Sequence, residues 1–207
     1  MITAAVSFPT VTITPDTKDW TWVLQRPCPE CGLDTRRFAR EAVADMTRVN
    51  AAAWHDLLTG PTLLASGGRP PQTPPLDLRG RPEPEVWSAL EYGCHVRDVF
   101  RRFDGRLTAM LTEDGPRFAN WDQDATAVAD HYGEQDPAAV AAQLREAAEA
   151  LATRFDAVSG DQWQRTGTRS DGAAFTVESF ARYYIHDPVH HLYDVTRAQH
   201  AHPQEER

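Results

Sequence analysis

The sequence predicts an all-α fold: a four-helix bundle with a short extended N-terminal segment and long loops. Two observations lead there. Four stretches carry apolar residues at steps of three and four, the spacing that lines one helical face, and the segments between them are dense in proline, glycine or short polar residues that stop a helix. β-branched alternation is confined to the front of the chain, where Val11 to Thr14 and Asp19 to Leu24 read as one or two short extended segments.

The first helix is expected over 34 to 58. Asp34 is placed to accept the free amides of a first turn, Leu33 and Phe38 stand at staple spacing, and Phe38, Ala42, Met46, Val49, Ala53 and Leu57 form its stripe until Gly60 and Pro61 end it. Residues 60 to 84 hold Pro61, Pro70, Pro71, Pro74, Pro75, Pro82 and Pro84, which no helix sustains. A loop of that length in a compact domain invites a role such as covering a site. The second helix runs from about Glu85 to Leu111, with Ala89, Tyr92, Val96, Val99, Phe103, Leu107 and Met110 on its buried face and His95 at the edge of that face. After a polar connection over 112 to 135, Asp136 and Pro137 give an N-cap followed by proline at the first helical position. Val140, Leu144, Ala148, Leu151, Phe155 and Val158 then form the third stripe, ended by Gly160. Thr176 caps the fourth helix, with Phe175 and Phe180 as its staple, and the pattern continues to about Ala198. The chain is thus expected to be one domain, 1–207, with an extended segment over 1–33 and a bundle over 34–198.

Composition narrows the function classes. Thirty acidic against 21 basic residues give a formal charge of -9, which opposes the phosphate neutralisation that nucleic-acid binding needs. No apolar run approaches the length of a membrane span, and the first fifteen residues have neither a basic head nor a long apolar run, so no membrane, no signal peptide and a cytoplasmic setting are expected. A small-molecule substrate is the expected partner, and bundles of this size can pair as homodimers through an exposed helix face. Cys28, Cys31 and Cys94 are too few for a disulfide framework. Cys28-Pro-Glu-Cys31-Gly has the outline of half a zinc knuckle with no second cysteine pair in the chain, so it reads first as a stiff turn with two reduced thiols, with redox pairing or a shared metal as alternatives.

The densest chemistry lies in His186-Asp-Pro-Val-His190-His191-Leu-Tyr-Asp194. Two pairs at i, i+4 compete there for a metal: His186 with His190, and Asp187 with His191. Helical phase favours the second pair. Phe180, Ala181, Tyr184, Ile185, Leu192 and Val195 centre on one side; Asp187 and His191 border it, while His186 and His190 fall mostly opposite and read as exposed or supporting residues. Pro188 implies either a kinked helix or a restart with Asp187 as N-cap, and the upstream staple favours one kinked helix.

A helix-two histidine in Cys94-His95-Val-Arg-Asp98, combined with Asp187-Pro-Val-His-His191-Leu-Tyr-Asp-Val195 on helix four, resembles the DinB-like bundle superfamily, nearest its mycothiol-dependent maleylpyruvate isomerase branch. The resemblance implies a divalent metal, zinc or nickel, held by His95, Asp187 and His191, with Asp187 shorter than the glutamate or histidine usual at its position. It also implies a metal-dependent transferase or isomerase using a low-molecular-weight thiol such as mycothiol. Two nitrogens and one carboxylate oxygen suit such a metal and leave a position open, where a thiol would lose its proton near neutral pH. A non-catalytic metal- or ligand-binding module and a metal-dependent hydrolase are the alternatives. Taken without the resemblance, His95 also fits a hydrogen-bonded core histidine, and Asp187 with His191 a structural pair.

Overall fold

The computed structural model describes residues 19–60 and 76–200. Four long helices dominate: α1 (Val43–Thr59), α2 (Ala89–Thr112), α4 (Pro137–Asp156) and α5 (Val177–His200); a short helix α3 (Gln123–Ala129) lies between α2 and α4. Three short strands, β1 (Arg117–Phe118), β2 (Thr166–Arg169) and β3 (Ala174–Thr176), form a small sheet in which β2 pairs parallel with β1 and antiparallel with β3. Helices α1 and α2 each pack on α4 and on α5 but scarcely on one another. Around the bundle the order is therefore α1, α4, α2, α5, with sequence neighbours α1 and α2 on a diagonal. A chain crossing that diagonal needs a long connection, which residues 60 to 88 supply. The stretch 61–75, with most of the predicted proline-rich loop, lies outside the described residues, as do Val11 to Thr14.

The stripes of the second and third expected helices and the caps of the third and fourth hold. Ser88 and Glu91 make a reciprocal capping box at the start of α2, Asp136 caps α4 ahead of Pro137, and Thr176 Oγ1 accepts from the Ser179 amide at α5. The predicted stripe of α4 is buried throughout, and that of α2 except for half-buried Tyr92.

Helix one departs from expectation twice. It begins at Val43 after a 3-10 turn (Arg40–Ala42), because the Asp34 side chain accepts from the Arg36 amide and guanidinium in a local turn instead of starting a helix. Its buried face is also shifted: Val49 is 71% exposed, whereas Thr47, Asn50 and Trp54 point inward. Polar side chains can occupy that face because each finds a partner. Thr47 shares a hydrogen bond with Tyr184 Oη, and Asn50 Nδ2 and Trp54 Nε1 donate to the Pro188 carbonyl at 3.0 and 3.3 Å. A stripe of hydrophobic letters cannot register such pairs.

Three further expectations are corrected. Asp19 to Leu24 is a 3-10 helix (Trp20–Leu24) and not extended, with the Asp19 carboxylate accepting from the Thr21 amide. The polar connection 112 to 135 contains β1 and α3, the latter capped by Asp122. The connection 160 to 175 carries β2 and most of β3, and its Gly167 lets Phe118 and Met110 press against the backbone where a Cβ would stand 2.5 Å from Phe118 Cζ.

The core centres on Tyr184, whose ring lies against Phe103, Phe155 and Phe100 at 5.1, 5.8 and 6.2 Å between centroids. Glu91, buried in the first turn of α2, serves the rim: it accepts from the Ser88 amide at 2.7 Å and from Arg81 Nε at 2.9 Å. Burial raises its carboxyl, and Arg81 with Ser88 outweighs that, leaving the pKa below the ordinary 4.5. A group with a depressed folded pKa stabilises above its unfolded value, and that contribution fades as pH falls through the folded one. Glu91→Gln is expected to cost about 2 kcal/mol at neutral pH, and the gap to the unaltered protein should close as denaturation is repeated at pH values below 4.5. A pH-independent gap would show that the charge is irrelevant.

Candidate metal centre

Helix α5 runs unbroken from Val177 to His200 with Pro188 inside it, so the restart at Asp187 does not occur. Proline lacks the amide that would bond the Tyr184 carbonyl. At this interruption α1 reaches across: Asn50 and Trp54 hold the Pro188 carbonyl and fix the backbone one residue beyond Asp187.

The three residues read as ligands from the sequence converge. His95 Nε2 and His191 Nε2 stand 3.5 and 3.7 Å from the same oxygen, Asp187 Oδ1. All three donor atoms lie within 4.8 Å of one another. Metal–nitrogen and metal–oxygen bonds near 2.1 Å at a tetrahedral angle put neighbouring donors about 3.4 Å apart. The observed edges are therefore a few tenths of an ångström from what a shared small cation would impose, and too long for strong hydrogen bonds.

His95 is fully buried, and neither ring nitrogen forms a hydrogen bond among the described residues; Asp187 Oδ1 likewise lacks one. The 3.5 Å approach of His95 Nε2 to Asp187 Oδ1 is the polar contact of this ring. The ring is held by packing, stacked on Trp121 at 5.2 Å and 7° and flanked by Trp87 at 5.1 Å. His191 lies edge-on to His95 at 5.0 Å and against Tyr92 at 4.9 Å. Burial pushes the His95 pKa down, which favours the neutral imidazole a metal requires. Desolvation pushes Asp187 up, but His191 and His95 outweigh it and keep the carboxylate ionised.

Asp187 and His191 open onto a cavity of about 380 Å³ whose wall includes Trp20, Phe103, Arg106, Trp121, Arg169 and Tyr183. Arg169 is neutralised by Asp171 and also donates to Tyr183 Oη. Arg106 is different. Burial, then neighbouring Arg102, lowers its pKa to about 10. It donates to the Ala119 carbonyl at 3.2 Å, and among the described residues no carboxylate pairs with it. The sequence reading missed Arg106, because an arginine at a helix surface carries no mark of what faces it.

His186 and His190 are also misjudged by helical phase: they are 3% and 6% exposed, not on an open face. Trp20 covers both rings at 5.2 and 5.1 Å. Phase on α5 reports only the bundle core, and the N-terminal segment supplies a second surface to bury against.

Two comparisons with known proteins bear on this centre. The family model described as the DinB superfamily matches residues 72–195, which include all three residues. A solved structure, YfiT from Bacillus subtilis, described as a probable metal-dependent hydrolase with an unusual four-helix bundle topology, superposes with a TM-score of 0.67 at 16% identity over 78% of this chain and 86% of its own. No curated protein matches the sequence. Among the described residues no helix is long and apolar enough to cross a membrane.

Asn50→Leu keeps the volume but removes the donor to the Pro188 carbonyl. It should lower stability by about 1 to 2 kcal/mol and, by loosening the backbone beside Asp187, weaken zinc binding at this centre about tenfold. Calorimetric titration of the variant with zinc, beside chemical denaturation, checks both, and an unchanged affinity would show that the clamp does not position the site.

Proposed function

Since the chain belongs to the DinB superfamily, we propose that it is a metal-dependent enzyme in which His95, Asp187 and His191 hold one divalent cation, zinc or nickel, and that it transfers or isomerises with a low-molecular-weight thiol such as mycothiol as nucleophile. The observation that carries the proposal is the convergence of two imidazole nitrogens on one carboxylate oxygen at 3.5 and 3.7 Å, on the wall of a cavity. When bound, such an ion supplies a Lewis acid with a position open to the cavity, which acidifies a thiol or water placed there.

The chain's own residues supply the rest. Trp121 and Trp87 fix the His95 ring without hydrogen bonds, and the Asp187 carboxylate offsets part of the cation's charge. Arg106, a cation in the cavity wall with a backbone carbonyl as its hydrogen-bond partner, is suited to receive an anionic group of the substrate. It lines the same cavity as Asp187 and His191, so one occupant can meet both the cation and the ligand residues. A water nucleophile, hence a hydrolase, is the second reading, favoured by the description of the YfiT bundle.

Metal-reconstituted protein is to be assayed with carboxylate-bearing electrophiles, with and without mycothiol or a simpler thiol. The expected result is thiol-dependent turnover that is lost in His191→Ala, with Arg106→Leu raising KM by about tenfold or more for an acidic acceptor and little for its neutral analogue. Thiol-independent cleavage of an ester or amide would establish the second reading. Absence of metal dependence in both would overturn the two together.

A further inference from the structure

We propose that Cys28, Cys31, His186 and His190 form a second metal site, a closed structural zinc centre that clips the N-terminal turn onto α5. It is independent of the catalytic reading above and uses none of its three residues.

Four ligand atoms, one from each of these side chains, lie within 4.8 Å of one another. Cys28 Sγ stands 3.6 Å from His190 Nδ1. With zinc–sulfur near 2.3 Å and zinc–nitrogen near 2.05 Å, a tetrahedral centre places sulfur and nitrogen about 3.6 Å apart. The spacing Cys-x2-Cys with His-x3-His is also that of two-cysteine, two-histidine structural sites.

Each half is prepared for the role. In the turn, the Cys28 amide bonds to the Leu33 carbonyl and the Gly32 amide to the Cys28 carbonyl, with Gly32 at φ 74°, so both thiols are presented from one tight loop. On α5, His186 and His190 are one turn apart and buried, and His186 Nε2 has no hydrogen-bond partner among the described residues. His190 turns Nδ1 toward Cys28 and leaves Nε2 3.5 Å from Asp194 Oδ2 and 3.7 Å from Glu30 Oε2, the carboxylate arrangement that orients a ligating imidazole. Trp20 and Trp22 close the outer side over these rings.

Four protein ligands leave no open position, which makes this centre structural where the His95 centre is open. It joins residues 162 apart in sequence, and holding Trp20 against α5 completes one wall of the cavity.

The full-length protein, expressed without a metal-affinity tag, is loaded with zinc and then with cobalt(II). In a His95→Ala/His191→Ala double variant the remaining cobalt should show a thiolate-to-cobalt charge-transfer band and intense visible bands of tetrahedral geometry. X-ray absorption on its zinc form should give a mixed sulfur and nitrogen shell. Cys28→Ser/Cys31→Ser should lose one metal equivalent per chain and melt at a lower temperature, and in the unaltered protein zinc should shield both thiols from alkylation until a chelator is added. If that cysteine variant fails to fold, the shielding and the cobalt spectrum of folded protein still decide. Metal bound without sulfur, full metal retention after loss of both cysteines, or a Cys28–Cys31 disulfide in freshly purified protein would each overturn the proposal. Failure of the His95 centre alone would leave one sulfur-bound metal per chain, so the two readings fail separately.

Discussion

Helix α5 buries imidazoles and carboxylates on two adjoining faces, and the rest of the structure answers that constraint. His186 and His190 lie 6% exposed or less, and Asp187, His191 and Asp194 are half-buried beside them. Burial of such groups is unfavourable unless each finds a partner. Toward the bundle, α2 brings His95 to Asp187 and His191, and α1 brings Asn50 and Trp54 to the Pro188 carbonyl. Away from the bundle, the N-terminal segment brings two thiols, Glu30 and two tryptophans to His186 and His190. One helix thus organises two polar clusters about 100° apart around its axis.

The diagonal placement of α1 and α2 follows from the same requirement. Were they neighbours, α5 could not touch both, and neither the Asn50 clamp nor the His95 ligand would reach it. The connection through residues 60 to 88 is the covalent counterpart of this arrangement. The small sheet closes the end of the bundle, where Gly167 permits Phe118 and Met110 to meet the backbone. It also carries Arg169 to the cavity, where Asp171 neutralises it, and leaves Arg106 as a wall cation with no carboxylate partner among the described residues.

Legibility followed the range of the interaction. Caps and staples lie within a few residues of the helices they start, so Asp136, Pro137 and Thr176 could be read directly. Asp34 shows the limit, since the same carboxylate that can cap a helix also bonds the Arg36 amide in a turn. The stripe of α1 failed where hydrogen bonds to Tyr184 and Pro188 made Thr47 and Asn50 better core residues than Val49.

The amino-acid sequence by itself determined four helices, the face of α5 that looks into the bundle, and the resemblance that joined His95 to Asp187 and His191. Those signals are local periodicities and short motifs, written within one turn or one helix. Tertiary structure alone decided which helices are diagonal, that Arg106 faces a cavity, and that Cys28 and Cys31 meet His186 and His190. Each of these depends on surfaces separated by many tens of residues, and phase on a single helix holds no information about a partner that arrives from the other end of the chain.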